Sequence, residues 1–283
     1  MSVAVRDDLP PLIAGPSALG GDVRRFFFLA FTLAVTDFKL RFFGSVLGYL
    51  WQLFRPLLLF GVLYLVFTQF VRVGGTVKFY PVVLLENIVL FQYFAEASSA
   101  VSSLVDRENL IRKVQFPRLA VPVATVLTAT FNLSLNVLVV LILALASGVP
   151  VRLSWLELPV LLACLATLAV GLAMLLSSLY VRFRDVKPIW EVILQVLFYG
   201  TPVIYAIETI HLSHTLKHAV MSNPLASILE QARHAVIDPG APGAASALGS
   251  WAALLIPIGI SLAIVVTGAV VFVRSAPDLA ERL

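Results

Sequence analysis

The chain has 283 residues, 60% of them hydrophobic and only 13% charged, with a mean hydropathy of +0.97. Soluble domains are about 45–50% apolar, so one globule of this size cannot hide the excess and much of its surface must face lipid. The net charge of +4 argues against a nucleic-acid partner, and the single cysteine, Cys164, excludes an intrachain disulfide.

Residues 1–21 carry Asp7, Asp8, three prolines and three glycines, with no continuous apolar core, so they read as a cytoplasmic tail and not as a secretory signal. Residues 22–45 follow, DVRRFFFLAFTLAVTDFKLRFFGS, with Arg24, Arg25, Asp37, Lys39 and Arg41 on an otherwise apolar sequence. Their uncharged core, Phe26 to Val35, falls well short of the roughly twenty residues a spanning helix needs. An amphipathic helix lying in the membrane interface is expected there.

Six apolar runs come next, at about 46–71, 79–103, 119–147, 158–181, 188–208 and 251–273. Each approaches or exceeds the length the bilayer demands. The expected fold is therefore an all-α integral membrane protein with six transmembrane helices, one membrane domain over residues 22–274, and a tail at 275–283. Of twenty Lys and Arg, five (Arg72, Lys78, Arg152, Lys217, Arg233) fall on one side of this layout and the rest on the other. The positive-inside rule then puts both termini in the cytoplasm and the long 209–250 loop outside.

Within that loop, SNPLASILEQARHAVI reads as a short helix capped by Asn223, with Pro224 at its first position and Leu225, Ile228 and Leu229 on one face. With Pro202 upstream, a re-entrant element in the outer leaflet is expected. The loop also holds His211, His214, His218 and His234. No cysteine or carboxylate completes a metal site with them, so they read as hydrated interface histidines.

Several polar residues fall in or near the spans: Arg55, directly before Pro56, and Glu86, Asn87, Glu96, Asn132, Asn136, Glu191 and Gln195. Such groups pair between helices, snorkel, or face water in a conduit. Phe60, Tyr64 and Phe67 follow i, i+4, i+7 on the first span, with Tyr49 and Trp51 near its inner end. That face either packs or offers rings on which sugars stack.

Residues 106–118, DRENLIRKVQFPR, are a charged island between the second and third spans. Leu104, Leu110, Ile111 and Val114 supply an apolar face, Glu108 and Arg112 stand at the favoured i, i+4 spacing, and Pro117 stops the helix. A short surface helix that a soluble partner could grip is expected. The chain carries no G-x-x-x-x-G-K-[ST] loop, no G-x-S-x-G and no H-E-x-x-H, so it is not expected to hydrolyse ATP or act as an enzyme itself.

Five stretches, RFFGSVLGYLWQLFRP (41–56), NLIRKVQFPR (109–118), RFRDVKPIWEVILQ (182–195), YGTPVIY (199–205) and NPL (223–225), together resemble the permease subunit of type-2 ABC exporters of polysaccharide, which export O-antigen, capsule or teichoic acid. The resemblance implies a multi-pass protein of the bacterial inner membrane. It implies an N-terminal gate helix at about 22–43 and a coupling helix at 103–116, where Asp106, Arg107, Glu108, Asn109, Arg112, Lys113 and Pro117 would meet the ATPase. It also implies a second cytoplasmic contact through Arg182, Arg184 and Asp185, and extracellular re-entrant helices between spans five and six. The implied partners are a second copy of the chain, two copies of a cytoplasmic ATPase subunit that carries the ATP and Mg, membrane lipid, and a lipid-linked glycan. The glycan's diphosphate would meet Arg24, Arg25, Lys39 and Arg41, and its sugars would pass Tyr49, Trp51, Phe60, Tyr64 and Phe67. Phe42 and Phe43 stand where that family often has Tyr, and Arg55 stands where a small or polar residue is common. The competing readings are a type-2 exporter of a drug or small lipid, and a membrane-embedded prenyl-phosphate glycosyltransferase built on Asp106, Glu108 or Asp185.

Overall fold

The computed structural model describes residues 23–42, 48, 50–70, 77–107, 117–209 and 213–276, and among them every regular element is helical. Lipid offers no hydrogen bonds, so an apolar run of this length satisfies its backbone by closing it into a helix.

Helix α1 is Val23–Phe42, and α2 is Leu50–Leu65, continued by a π-helical turn at Val66–Phe70. Helix α3 is Tyr80–Ser98, extended through a 3-10 turn into the short α4, Ser103–Asp106. Next come α5, Ala120–Ala146, and α6, Glu157–Arg182, then α7, Val186–Gly200. Three shorter helices follow, α8 (His214–Met221), α9 (Pro224–Ala232) and α10 (Ala244–Ala247), before the last long one, α11, Leu255–Ser275.

Five of these are long and apolar enough to cross a membrane: Leu50–Phe70, Tyr80–Asp106, Ala120–Ala146, Leu153–Arg182 and Ala252–Ser275. The run expected at 188–208 folds differently. Its helix covers 15 residues, or about 22 Å at 1.5 Å per residue, short of the ~30 Å hydrocarbon core. The reason is local. Thr201 precedes Pro202 and is extended (φ −108°, ψ 159°), as a pre-proline residue prefers. Beyond it Val203, Ile204, Ala206 and Ile207 stay buried without forming a helix. Their freed carbonyls are met from α3: Asn87 Nδ2 donates to Pro202 O (2.9 Å) and the Tyr80 hydroxyl to Ile204 O (3.0 Å).

Helix α3 is the axis of the bundle and is buried on nearly every side. Helices α2, α5 and α6 pack against it. Helix α7 meets it through rings, Phe198 edge-on to Phe91 (5.1 Å) and Trp190 against Phe94 (6.4 Å), and through Trp190 Nε1 donating to Ser98 Oγ (3.2 Å). Helix α11 lies on α6 with backbones almost touching. A Cβ on Gly268 would stand 2.2 Å from the Gly171 carbonyl oxygen, the close approach that small residues permit between membrane helices.

Helix α1 rests on α5. Phe26, Ala30 and Ala34, spaced four apart, are buried there with Ala120, and Thr128 Oγ1 of α5 donates to Ala34 O (3.3 Å). Phe131 of α5 sits edge-on to both Phe31 (5.9 Å) and Phe38 (5.7 Å) of α1. Phe27 and Phe28 point outward. The expected N-terminal helix is thus present, with one face on the bundle and one apolar face free.

One end of the bundle gathers Leu104, Val121, Met174, Val181, Phe272 and Ala276. The other gathers Ile207, Met221, Ala226, Ala247 and Leu248 under α8, α9 and α10.

Candidate functional site

Four helices each contribute a polar stripe to one crevice. Helix α1 brings Arg41, and α2 brings Gln52, Arg55 and Pro56, one turn apart. Helix α3 brings Gln92 and Glu96, with Ser99 at its C-cap, and α5 brings Asn132 and Asn136. These spacings of three and four place each set on one helix face. This crevice has a volume of about 480 Å³. Pro56 has no N–H, so the Gln52 carbonyl loses its helical partner beside this cavity.

Glu96 is the hub. Its Oε1 accepts from Arg41 Nη1 and from Asn132 Nδ2 (2.8 Å). Asn132 itself is buried, and its Oδ1 has no hydrogen-bond partner among the described residues. Asn136 Nδ2 donates to the Asn132 carbonyl at 2.9 Å. Arg55 lines the same space and has no ion-pair partner among the described residues.

A second cavity of about 340 Å³ shares Arg41, Glu96 and Ser99 with the first and adds Asp37, Ser102, Asp106, Arg107 and Thr128. Here Arg107 pairs with Asp37 of α1, and Ser102 Oγ donates to Asp106 Oδ2 (2.9 Å). The C-terminal half of α1 is therefore tied to α3 through Arg41 and to the start of the charged island through Asp37. Beyond Arg107 the island is not described until Pro117, so Glu108, Asn109, Arg112 and Lys113 lie outside the described residues. Arg118, which ends the island, is 3% exposed, and its Nη1 has no partner among the described residues. Burial lowers its pKa.

The four cations expected at a diphosphate entrance do not form one cluster. Arg24 and Arg25 stand at the start of α1, Lys39 and Arg41 at its end, about 25 Å away along the helix. Of the four, Arg41 reaches the crevice. Arg182, Arg184 and Asp185 form an exposed turn between α6 and α7, where the Arg184 guanidinium lies 5.1 Å from the Tyr180 ring. Asp106 and Asp185 stand on separate elements, both exposed, with Asp106 accepting from Ser102 Oγ.

The ring face of α2 is split. Trp51 is exposed and edge-on to Phe54. Phe60 stacks on Tyr64 (5.6 Å, 22° between planes), but Phe60 and Phe67 lean on the core while Tyr64 turns outward. The π-helical turn breaks the periodicity before Phe67. Tyr49 lies outside the described residues. Pro56 is the one buried side chain of α2, and Trp190 the one of α7.

A further polar group lies at the far end of the bundle. Arg233, 2% exposed, donates through Nη1 to Glu208 Oε2 (2.9 Å) and Glu230 Oε1 (3.0 Å), and through Nη2 to Glu208 Oε1. Burial raises the Glu230 pKa to about 7, against the pull of Arg233. Arg233 itself is raised: burial acts to lower it, and the hydrogen bonds and charges of Glu208 and Glu230 outweigh that. Glu86 of α3 is buried nearby, within range of the Arg233 and Glu230 charges, with neither carboxylate oxygen hydrogen-bonded among the described residues. The sequence marks Glu86 as an oddity in an apolar run and spaces Glu230 and Arg233 three apart, but nothing local brings Glu208 to them. Among the histidines, the His214 and His218 rings lie 5.3 Å apart, tilted by 31°, while His234 Nδ1 lies 2.8 Å from Ala241 O. His211 lies outside the described residues.

Residues 29–237 match the family model described as ABC-2 type transporter. A protein of Klebsiella pneumoniae named O-antigen export system permease protein RfbA is 28% identical over 195 residues, covering 68% of this chain and 74% of its own. A protein of the same name from Myxococcus xanthus is 28% identical over 202 residues, covering 71% and 77%.

Proposed function

Because the chain belongs to the ABC-2 type transporter family, we propose that it is the permease subunit of an exporter that moves a lipid-linked polysaccharide across the bacterial inner membrane, driven by a separate ATPase subunit. The observation that carries this reading is the alignment over two thirds of the chain with O-antigen export permeases from two bacteria.

The geometry supports a division of labour. Helices α2 and α7 are almost bare within one protomer, so a second copy and the conduit would cover them. Trp51, Phe60, Tyr64 and Phe67, with Tyr49, would offer rings to passing sugars. Helix α7 and the irregular stretch after Gly200 make the fifth of six crossings, and α3 side chains supply what that backbone lacks. Both termini are cytoplasmic in this reading, which the distribution of Lys and Arg supports. The α8–α10 segment re-enters the bundle and caps its outer end.

The ATPase, with its ATP and Mg, presses on Asp106, Arg107, Glu108, Asn109, Arg112, Lys113 and Pro117, and on the Arg182–Asp185 turn. The Arg107–Asp37 and Arg41–Glu96 pairs pass that displacement to α1. Arg24, Arg25, Lys39 and Arg41 attract the anionic head of the lipid carrier along α1. The chain performs no chemistry of its own; it supplies the path and the contacts that differ between states.

Deleting the gene tests the whole. A deletion strain accumulates lipid-linked glycan on the cytoplasmic side and loses surface glycan, and the wild-type gene restores it. Normal surface glycan in the deletion strain overturns the polysaccharide assignment. Glu108→Lys and Arg112→Glu abolish stimulated ATPase activity in the reconstituted complex; undiminished stimulation in both overturns the coupling role.

A further inference from the structure

The crevice between α1, α2, α3 and α5 has an unusual lining for so apolar a helical bundle. Its lining holds two guanidinium groups and one carboxylate. Arg41 and Glu96 neutralise each other, and Arg55 leaves one positive charge over. Cations at membrane depth persist where a partner or water meets them, and among the described residues Arg55 has no ion-pair partner. Beside it are the amides of Gln52, Gln92 and Asn136, each both donor and acceptor. Asn132 Oδ1 is a buried acceptor with nothing to accept from among the described residues. Leaving such an atom unsatisfied is costly, and a hydroxyl satisfies it. The volume, about 480 Å³, lies within the ~300–1,000 Å³ of small-molecule sites.

An unneutralised guanidinium, a ring of amides and an orphaned acceptor together describe a ligand that is anionic and rich in hydroxyls. We propose that this cavity is a recognition subsite for an acidic saccharide unit, in which Arg55 takes the anionic oxygen and Asn132 accepts a sugar hydroxyl. This rests on the permease reading. It makes Arg55 a residue that selects which glycan is exported, set in place by Pro56 and by the Arg41–Glu96–Asn132 chain. The anionic oxygen has two sources, a carboxylate on a sugar of the glycan or the phosphate joined to the first sugar at the lipid end.

The purified full chain in lipid nanodiscs is titrated, with saturation-transfer NMR, against glucuronate, glucose 1-phosphate, neutral glucose and inorganic phosphate. The expected result is that at least one charged sugar binds about tenfold more tightly than both glucose and inorganic phosphate. Tighter binding of glucuronate assigns the subsite to the glycan, and tighter binding of glucose 1-phosphate assigns it to the lipid end. Arg55→Gln, at an exposed helix position that the fold tolerates, erases the gap between charged and neutral sugars, and Arg55→Lys keeps part of it. Binding of inorganic phosphate as tight as that of the charged sugars, silence from all four probes, or an unchanged gap in Arg55→Gln each overturns the proposal. Complementation of the deletion strain separates the two readings. Wild-type chain that restores surface glycan while the probes stay silent overturns the subsite alone. Wild-type chain that fails to restore it overturns the permease reading.

Discussion

Arg41 at the end of α1 and Glu96 of α3 stand 55 residues apart in sequence and share a hydrogen-bonded ion pair. The same carboxylate oxygen also holds Asn132 of α5, so three helices meet at one atom. Both members of the pair are partly exposed, which limits its worth to about 1 kcal/mol. A double-mutant cycle with Arg41→Gln and Glu96→Gln, read by thermal unfolding in detergent, is expected to return a coupling of that size. Strict additivity of the two single changes would refute the pairing.

Asp37 and Arg107 link α1 to the first residues of the charged island. Arg107→Glu is expected to cut glycan export by about fivefold or more, a coupling loss of ordinary size. Combining it with Asp37→Arg rebuilds the pair in reverse and recovers most of the export. If the double swap exports no better than Arg107→Glu alone, the link does not carry the motion.

Gly171 and Gly268 let α6 and α11 touch backbone to backbone. Gly268→Ala places a methyl carbon where a carbonyl oxygen already stands, and neither backbone can move aside cheaply. A loss of at least about 2 kcal/mol is expected, seen as lower yield and a lower melting temperature. Gly259→Ala on the same helix meets nothing within 4 Å and is the matched control, neutral or stabilising by up to about 1 kcal/mol. Equal melting temperatures for the two variants would contradict the close crossing.

Glu230 is raised from 4.5 to about 7 by burial. The folded chain therefore holds this proton more tightly than the unfolded one. The contribution of Glu230 to stability is fully favourable below about pH 4.5, declines as pH rises toward about 7, and stays reduced above it. The span is at most about 3 kcal/mol. Glu86, Glu208, Lys217, Arg233 and Asp238 set the local field. The melting temperature is expected to fall from about pH 5 to about pH 7 in the wild type, and Glu230→Gln should flatten that slope. An identical slope in the variant would assign the proton elsewhere.

Much of this architecture is legible in the sequence because lipid enforces simple rules. Apolar runs became helices, and Asn223 caps α9 as expected, with Leu225 N donating to its Oδ1 at 3.0 Å. Arg55, Glu96, Asn132 and Asn136 stand out singly, since a polar group in an apolar run is conspicuous. Their convergence is tertiary and leaves no local trace. The shortening of α7 was hidden for another reason. Hydropathy runs on through Val203 and Ile204 while the backbone stops at Pro202, and composition does not register whose carbonyls α3 will satisfy. Arg24, Arg25, Lys39 and Arg41 are near in sequence, and α1 carries the first two at its start and the last two at its end.

Phe131 bears on how α1 can travel. Its ring is lodged between Phe31 and Phe38, two positions seven residues and about 10 Å apart along α1. The rest of that contact is Phe26, Leu29, Ala30 and Leu33 against Leu119, Ala120, Val123 and Leu127. A single tooth between two stops acts as a detent. Sliding α1 along α5 would drive one of those two rings over Phe131, so this contact opposes axial movement of α1 and fixes its register on α5.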